Sequence, residues 1–270
     1  MTLGAWQTLR TFDAELRRRS PILHHLAVVL LVAVPIMVAF AAADTRVVMG
    51  VNPWFKPIKF SFSMAIYAAT FGWLLKYLPI PARKKRRLAG IVAATLIIEM
   101  VSISGQAARG IQSHYNLSSE FNTMIFALMG LAITVNTVIA AYAGVKFWTS
   151  APSIPQPYLW GIRFGLAIFV LASLEGFAMA GRLGHNIGVA DGGAGLPFVN
   201  WSTRGGDLRT SHFLGMHALQ VLPFCGYLLS RGLPAERTGA RGCYMVAVSA
   251  GYGALVLLLF LQALAGRPLL

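Results

Sequence analysis

The chain has 270 residues, of which 56% are hydrophobic and only 12% charged, and it carries a formal net charge of +14. That composition is too apolar for an ordinary soluble domain of this size. The positive excess needs no nucleic-acid partner, because the loops of a membrane protein account for it once each basic residue is assigned to a side.

The expectation is an all-α polytopic membrane protein, a single transmembrane domain over residues 1–270 built as a bundle of seven transmembrane helices. A spanning helix needs about 20 mostly apolar residues, and such segments fall at roughly 22–43, 55–78, 88–108, 121–146, 158–181, 208–230 and 244–264. Ahead of the first, Leu3, Trp6, Leu9, Phe12 and Leu16 recur at near-helical spacing. They predict a short amphipathic N-terminal helix lying on the membrane surface. Ser20 and Pro21 supply a cap and a first helical residue for the first span. Although that span ends in the small-residue run "AFAAADT", its apolar stretch of about 20 residues exceeds a signal-peptide core, so it is read as uncleaved.

Fifteen of the 23 basic residues fall on the side of the N-terminus, including the run Arg83, Lys84, Lys85, Arg86 and Arg87. By the positive-inside rule the N-terminus is cytoplasmic and the C-terminus extracytoplasmic, in a bacterial-type cytoplasmic (inner) membrane. Cys225 and Cys243 lie toward the inner side, match no zinc or iron–sulfur spacing, and predict no structural disulfide.

The second span opens in "NPWFKPIKFSFSMAIY", where Lys59, Ser63, Tyr67 and Thr70 share a face and Lys56 lies one turn earlier. The third carries Glu99, Ser102, Gln106, Arg109 and Ser113 on one stripe, with Glu99 roughly 13 Å below the outer end. The fourth offers Thr123, Ala127, Gly130, Thr134, Thr137 and Ala141, small residues suited to close helix packing. Asn116 or Ser118 is the expected cap of that span. On the fifth, Glu175, Met179 and Arg182 share a face; on the sixth, Thr210, His217 and Gln220 do, with His212 about 140° away. Asp207 caps the sixth span, and Trp54 and Trp201 read as interfacial aromatics.

Charges inside a span are costly and signal function. Glu99 therefore needs a partner, for which His217 is the natural choice, with Glu175 a like-charge neighbour. Lys56, Lys59, Arg109, Arg182 and Arg209 oppose the positive-inside trend at the outer ends, which points to an anion: a lipid headgroup, a substrate carboxylate or haem propionates. Gln106 and Gln220 complete the expected binding set. The glycine-rich connection 183–206 has the length of a lid.

Two functions follow as expectations. In the first, His114, His185, His212 and His217 converge as ligands of a transition metal or haem in a membrane-embedded redox enzyme, with Glu99, His217 and Glu175 catalytic. No i, i+4 histidine pair supports it. In the second, Glu99, Gln106, Arg109, His217 and Gln220 line the path of a proton-coupled carrier, channel or receptor for a small anionic solute, with Glu99 exchanging the proton. A retinal protein is excluded, since the last span has no lysine. Cysteine-accessibility labelling should place residues 183–206 outside and 83–87 inside; the reverse pattern would overturn the orientation.

Overall fold

The computed structural model describes residues 3–232 and 238–270. Among them are eight helices: α1 (Leu3–Arg19), α2 (Pro21–Ala43), α3 (Phe55–Leu74), α4 (Ala82–Ala108), α5 (Glu120–Trp148), α6 (Gln156–Arg182), α7 (Arg209–Gly232) and α8 (Thr238–Leu264). A two-residue antiparallel ladder, β1 (Asn186–Ile187) with β2 (Gly206–Asp207), ties the ends of the α6–α7 connection. Six of the helices, α2 and α4 through α8, are long and apolar enough to cross a membrane.

The six agree with six of the seven segments expected from the sequence, with the starts of α4 and α8 displaced, the latter to Thr238 rather than near 244. Helix α4 starts at Ala82 rather than near 88, so the basic run 83–87 is helical. Lys and Arg are good helix formers whose long stems let the charge reach water from a helical backbone. The remaining segment, α3, has the length of a span, at 20 residues, but falls short in hydropathy. The reason is where it packs: α3 contacts α1, α2, α4 and α7. A helix surrounded by protein is free to carry lysine and serine where a lipid-facing one is not.

Helix α1 leads almost directly into α2, with the Ser20 N–H donating to Leu16 O (2.9 Å) and the His24 N–H to Ser20 O (3.0 Å). Ser20 occupies the cap position and Pro21 the first turn, yet the serine hydroxyl makes no capping bond and is buried without a partner. The apolar face of α1 is turned on the bundle: Leu16 is buried and the Phe12 ring stacks on Trp73 at 5.0 Å. Glu15 receives Arg18, Arg19 and Lys76, and the hydrogen bonds from Arg18 and Arg19 lower its pKa to about 2.

The closest helix pair is α6–α7, and the small residues that permit it differ from those expected. A Cβ at Gly161 would strike the Leu222 carbonyl, one at Gly226 the Pro157 carbonyl, and one at Gly165 would lie 2.9 Å from Ala218 O. Without lipid exclusion to drive association, such backbone approach supplies the dispersion energy. The α5 stripe plays no comparable part: Thr123 and Ala127 are exposed, Gly130 meets nothing within 4 Å, and Thr134 and Thr137 return their hydroxyls to Gly130 O and Ile133 O. Helix α5 instead buries the face bearing Asn122, Met129, Asn136, Ala140, Ala143 and Phe147.

Asn136 forms the brace of the inner bundle. The Tyr67 hydroxyl donates to Asn136 Oδ1 at 2.5 Å, and Asn136 Nδ2 donates to Thr95 Oγ1 at 3.0 Å, joining α3, α5 and α4 through fully buried groups. Each polar atom there would otherwise lack a partner in hydrocarbon. We expect Tyr67→Phe to lower stability by about 0.5–2 kcal/mol, measured by denaturant unfolding in detergent. Its effect should be strongly non-additive with Asn136→Ala; full additivity would deny the brace.

Candidate functional site

The start of α3, the end of α4 and the start of α7 meet under two interlocked connections. The first, between α2 and α3, is shaped by Asn52, whose Nδ2 donates to Ala41 O (3.0 Å) and Asp44 O (2.7 Å) while its Oδ1 receives the Trp54 N–H. Trp54, expected at the lipid interface, is instead 8% exposed. Its indole N–H donates to Asp44 Oδ2 at 3.0 Å and its ring lies 4.8 Å from Phe40, so the polar edge is satisfied by protein rather than by headgroups.

This turn delivers Pro57 to the first turn of α3, with Lys56 and Lys59 on either side of it. Lys56 Nζ donates to His114 Nδ1 at 2.9 Å. The Ser113 hydroxyl lies 3.1 Å from the same nitrogen, and Phe60, Tyr115 and Phe126 surround the ring. Lys59 Nζ donates to two carbonyl oxygens of the α6–α7 connection, Phe198 O (2.9 Å) and Val199 O (3.1 Å). Glu99, 4% exposed on α4, has Lys56 as its charged neighbour. Arg209 is within electrostatic reach of both lysines.

The α6–α7 connection is folded around a carboxylate. Asp207 Oδ1 accepts the Arg209 N–H (3.0 Å) and Nε (2.9 Å), while Oδ2 accepts Arg209 Nη2 (2.6 Å) and the Ser202 N–H (2.8 Å). Asp207 lies one position ahead of the cap expected of it, since Leu208 O accepts the first helical N–H, that of His212, and the Asp207 carboxylate instead closes a two-residue turn onto the Arg209 N–H. Burial pushes this carboxyl up, but the Arg209 and Ser202 donors outweigh it and hold the pKa below the usual range. Arg209 also donates to Asn200 O, and Asn200 Nδ2 donates to Met49 O at 3.0 Å, which links this connection to the α2–α3 turn. Phe198 and Asn200 have φ of +64° and +57°, a left-handed backbone that turns successive carbonyls inward. Ordered bonds thus hold the stretch expected to be a lid against Lys59 and Arg209. His185 sits beneath it, its Nδ1 3.0 Å from Asn186 Oδ1, 3.3 Å from Asp191 Oδ1 and 3.7 Å from Asp207 Oδ1.

The expected site residues therefore separate. Lys56, Lys59, Glu99, His114 and Arg209 form one cluster, with His185 joined to it through Asp207. His217 is not the partner of Glu99: its Nε2 faces Ser63 Oγ at 3.3 Å and its Nδ1 faces Gln220 Oε1 at 3.2 Å. Glu175 is not a neighbour of Glu99 either, since it accepts the Ser211 hydroxyl at the α6–α7 contact. Helix α3 touches both α4 and α7 and so interposes its own polar face between Glu99 and His217.

Gln106 and Arg109 form a separate knot, in which Arg109 Nη1 donates to Gln106 Oε1 (2.6 Å) and Asn122 Oδ1 (2.9 Å). Asn122, missed at the sequence level, also receives Gln106 Nε2 at 3.0 Å. Its N–H is capped by Ser119, one position beyond the Ser118 considered for that role. Arg182 is exposed and makes no ion pair among the described residues. His212 points away from His217, as its spacing requires: its Nδ1 lies 2.7 Å from Ala172 O, and Gly176 leaves room for the ring.

The four candidate metal ligands accordingly have separate partners. Among the described residues no group of three or more His, Cys, Asp or Glu side chains could hold a metal ion. Comparison with known proteins adds no identity. No protein-family model, curated protein or solved structure matches the chain.

His114 provides a test of this geometry outside the spans. Burial, then the charges of Lys56 and His212, hold it well below its ordinary value of 6.5, and burial and Arg209 hold His185 down against the opposing pull of Asp207 and Asp191. A histidine kept neutral in the fold takes up its proton more readily when unfolded, so its contribution is complete above its unfolded pKa and is lost as pH falls through it. The melting temperature should therefore fall as the pH drops from about 6.5 toward 5, and less steeply in His114→Gln. An unchanged slope in that variant would place His114 in water.

Proposed function

We propose that the protein binds a small anionic solute at the outer end of its bundle and couples that binding to a proton on Glu99, as a carrier or receptor in the membrane. One observation carries this reading: the ammonium groups of Lys56 and Lys59 are held in the site by a histidine nitrogen and by backbone carbonyls, with Glu99 the buried acid near Lys56. Three cations, Lys56, Lys59 and Arg209, act on one another beside two acids, Glu99 and Asp207, so neutral acceptors satisfy the hydrogen bonds and leave one positive charge without a counter-charge in a region of low dielectric. A carboxylate-sized anion would exchange the Phe198 and Val199 carbonyls for a charged acceptor. Glu99, in reach of Lys56, is the group able to balance the added negative charge by taking up a proton.

In this reading α3 is a seventh span, sheltered by its neighbours. The basic residues near the N-terminal side face the cytoplasm, and the site opens to the extracytoplasmic side of a bacterial-type inner membrane. A haem- or metal-dependent redox enzyme draws less support, because its four histidine ligands are engaged by four different sets of partners.

The test is ligand-induced stabilisation of the purified chain across a panel of small carboxylates and inorganic anions, followed by proton uptake in proteoliposomes. Lys56→Met should weaken binding at least about tenfold, the loss of one charge-assisted contact. Glu99→Gln should retain binding and lose the associated proton movement. If no anion stabilises the wild type more than Lys56→Met, the reading is wrong.

A further inference from the structure

At the opposite end of α4 from Glu99 a groove of about 400 Å³ is lined by Pro81, Arg83, Lys84, Arg87, Leu88 and Ile91. Its upper rim is basic and its floor apolar. The rim belongs to five consecutive cations, Arg83 to Arg87, placed in a helix whose first turn contains no acidic residue. Positive charge at a helix N-terminus opposes the macrodipole and repels its neighbours, so the local arrangement is unfavourable unless an anion offsets it. Two of the five are engaged: Lys85 Nζ donates to Lys76 O at 2.7 Å and Lys84 lies over the Tyr142 ring. Arg83, Arg86 and Arg87 are exposed and make no ion pair among the described residues.

The floor continues in one direction. The next exposed residues of α4 after Ile91 are Ala94, Ile97 and Val101, at intervals of three and four, so they extend the groove as an apolar strip along the membrane-facing side of the span. A cationic mouth that leads into a lipid-facing strip matches a molecule with an anionic head and a hydrocarbon tail. Inorganic phosphate would use the mouth alone, and a soluble acidic partner would have no use for the strip.

We propose that this groove is a binding site for an anionic glycerophospholipid of the surrounding bilayer, its phosphodiester held by Arg83 and Arg87 and one acyl chain lying along Ile91, Ala94 and Ile97. Arg83, Arg87 and Ile91 succeed one another at four-residue spacing, so head and tail contacts fall on a single helix face. The site is independent of the outer cluster and stands whatever that cluster binds.

Native mass spectrometry of the full chain, released from nanodiscs of mixed phosphatidylglycerol and phosphatidylcholine, tests it. The wild type should retain phosphatidylglycerol selectively. Arg83→Gln/Lys84→Gln/Arg87→Gln should weaken its apparent affinity about a hundredfold, at about one kcal/mol for each basic residue near a membrane surface. Arg87→Gln alone should weaken it about fivefold, which keeps the test open if the triple variant fails to fold. Arg10→Gln/Arg17→Gln/Arg231→Gln, which removes the same charge elsewhere, should leave retention unchanged. Ile91→Gln should reduce lipid retention as well. Equal retention of the two lipids, an equal loss in the control variant, or equal stabilisation by inorganic phosphate alone would each overturn the proposal.

Discussion

An ammonium group buried among helices must be given hydrogen-bond acceptors and a counter-charge, and the end of the bundle where α3 begins is organised around that demand at Lys56. His114 accepts its hydrogen bond and Glu99 supplies the opposite charge from the neighbouring helix. One turn on, Lys59 makes the same demand of the α6–α7 connection, whose left-handed residues Phe198 and Asn200 turn carbonyls toward Lys59 and Arg209. The connection in turn is folded on Asp207, which satisfies Arg209 and orders Ser202. Each layer answers a polar group that the layer beneath it would otherwise leave bare.

The rest of the bundle gives those groups a rigid frame. Glycines at α6–α7 bring two backbones into contact, while the Tyr67–Asn136–Thr95 chain fixes α3 against α4 and α5. Helix α3 is thereby held at two points, by the brace at Tyr67 in its interior and by Lys56 and Lys59 near its start. That central position explains its composition. Its neighbours shield it from lipid, so its polar stripe is tolerated, and its polar stripe provides the contacts that keep it there.

The cluster was partly legible because charge inside a span is rare enough to be informative. Lys56, Lys59, Glu99, His114 and Arg209 were all singled out by depth and spacing alone, and the divergence of His212 from His217 followed from helical angles. The pairings were not legible. Glu99 and His217 match in depth but belong to helices that α3 separates, and depth along an axis says nothing about which helices are adjacent. Asn136 and Asn122 escaped notice although a lone asparagine in an apolar span carries the same kind of signal as a buried acid. Trp54 was misread because a tryptophan near a span end fits both an interfacial belt and a buried hydrogen-bonded brace.

What the amino-acid sequence determined by itself is the set of apolar helices, their approximate ends, the basic cluster at one end of α4 and the polar stripe each helix carries. These depend on hydropathy and the 3.6-residue period, which are properties of a local window. Tertiary structure alone decided which stripes meet: α3 between α4 and α7, α6 locked to α7 by glycine, and the long connection fastened over Lys59 by its backbone carbonyls. Those choices rest on backbone approach and on carbonyl direction, and any residue type can offer a carbonyl, so no side-chain pattern announces them.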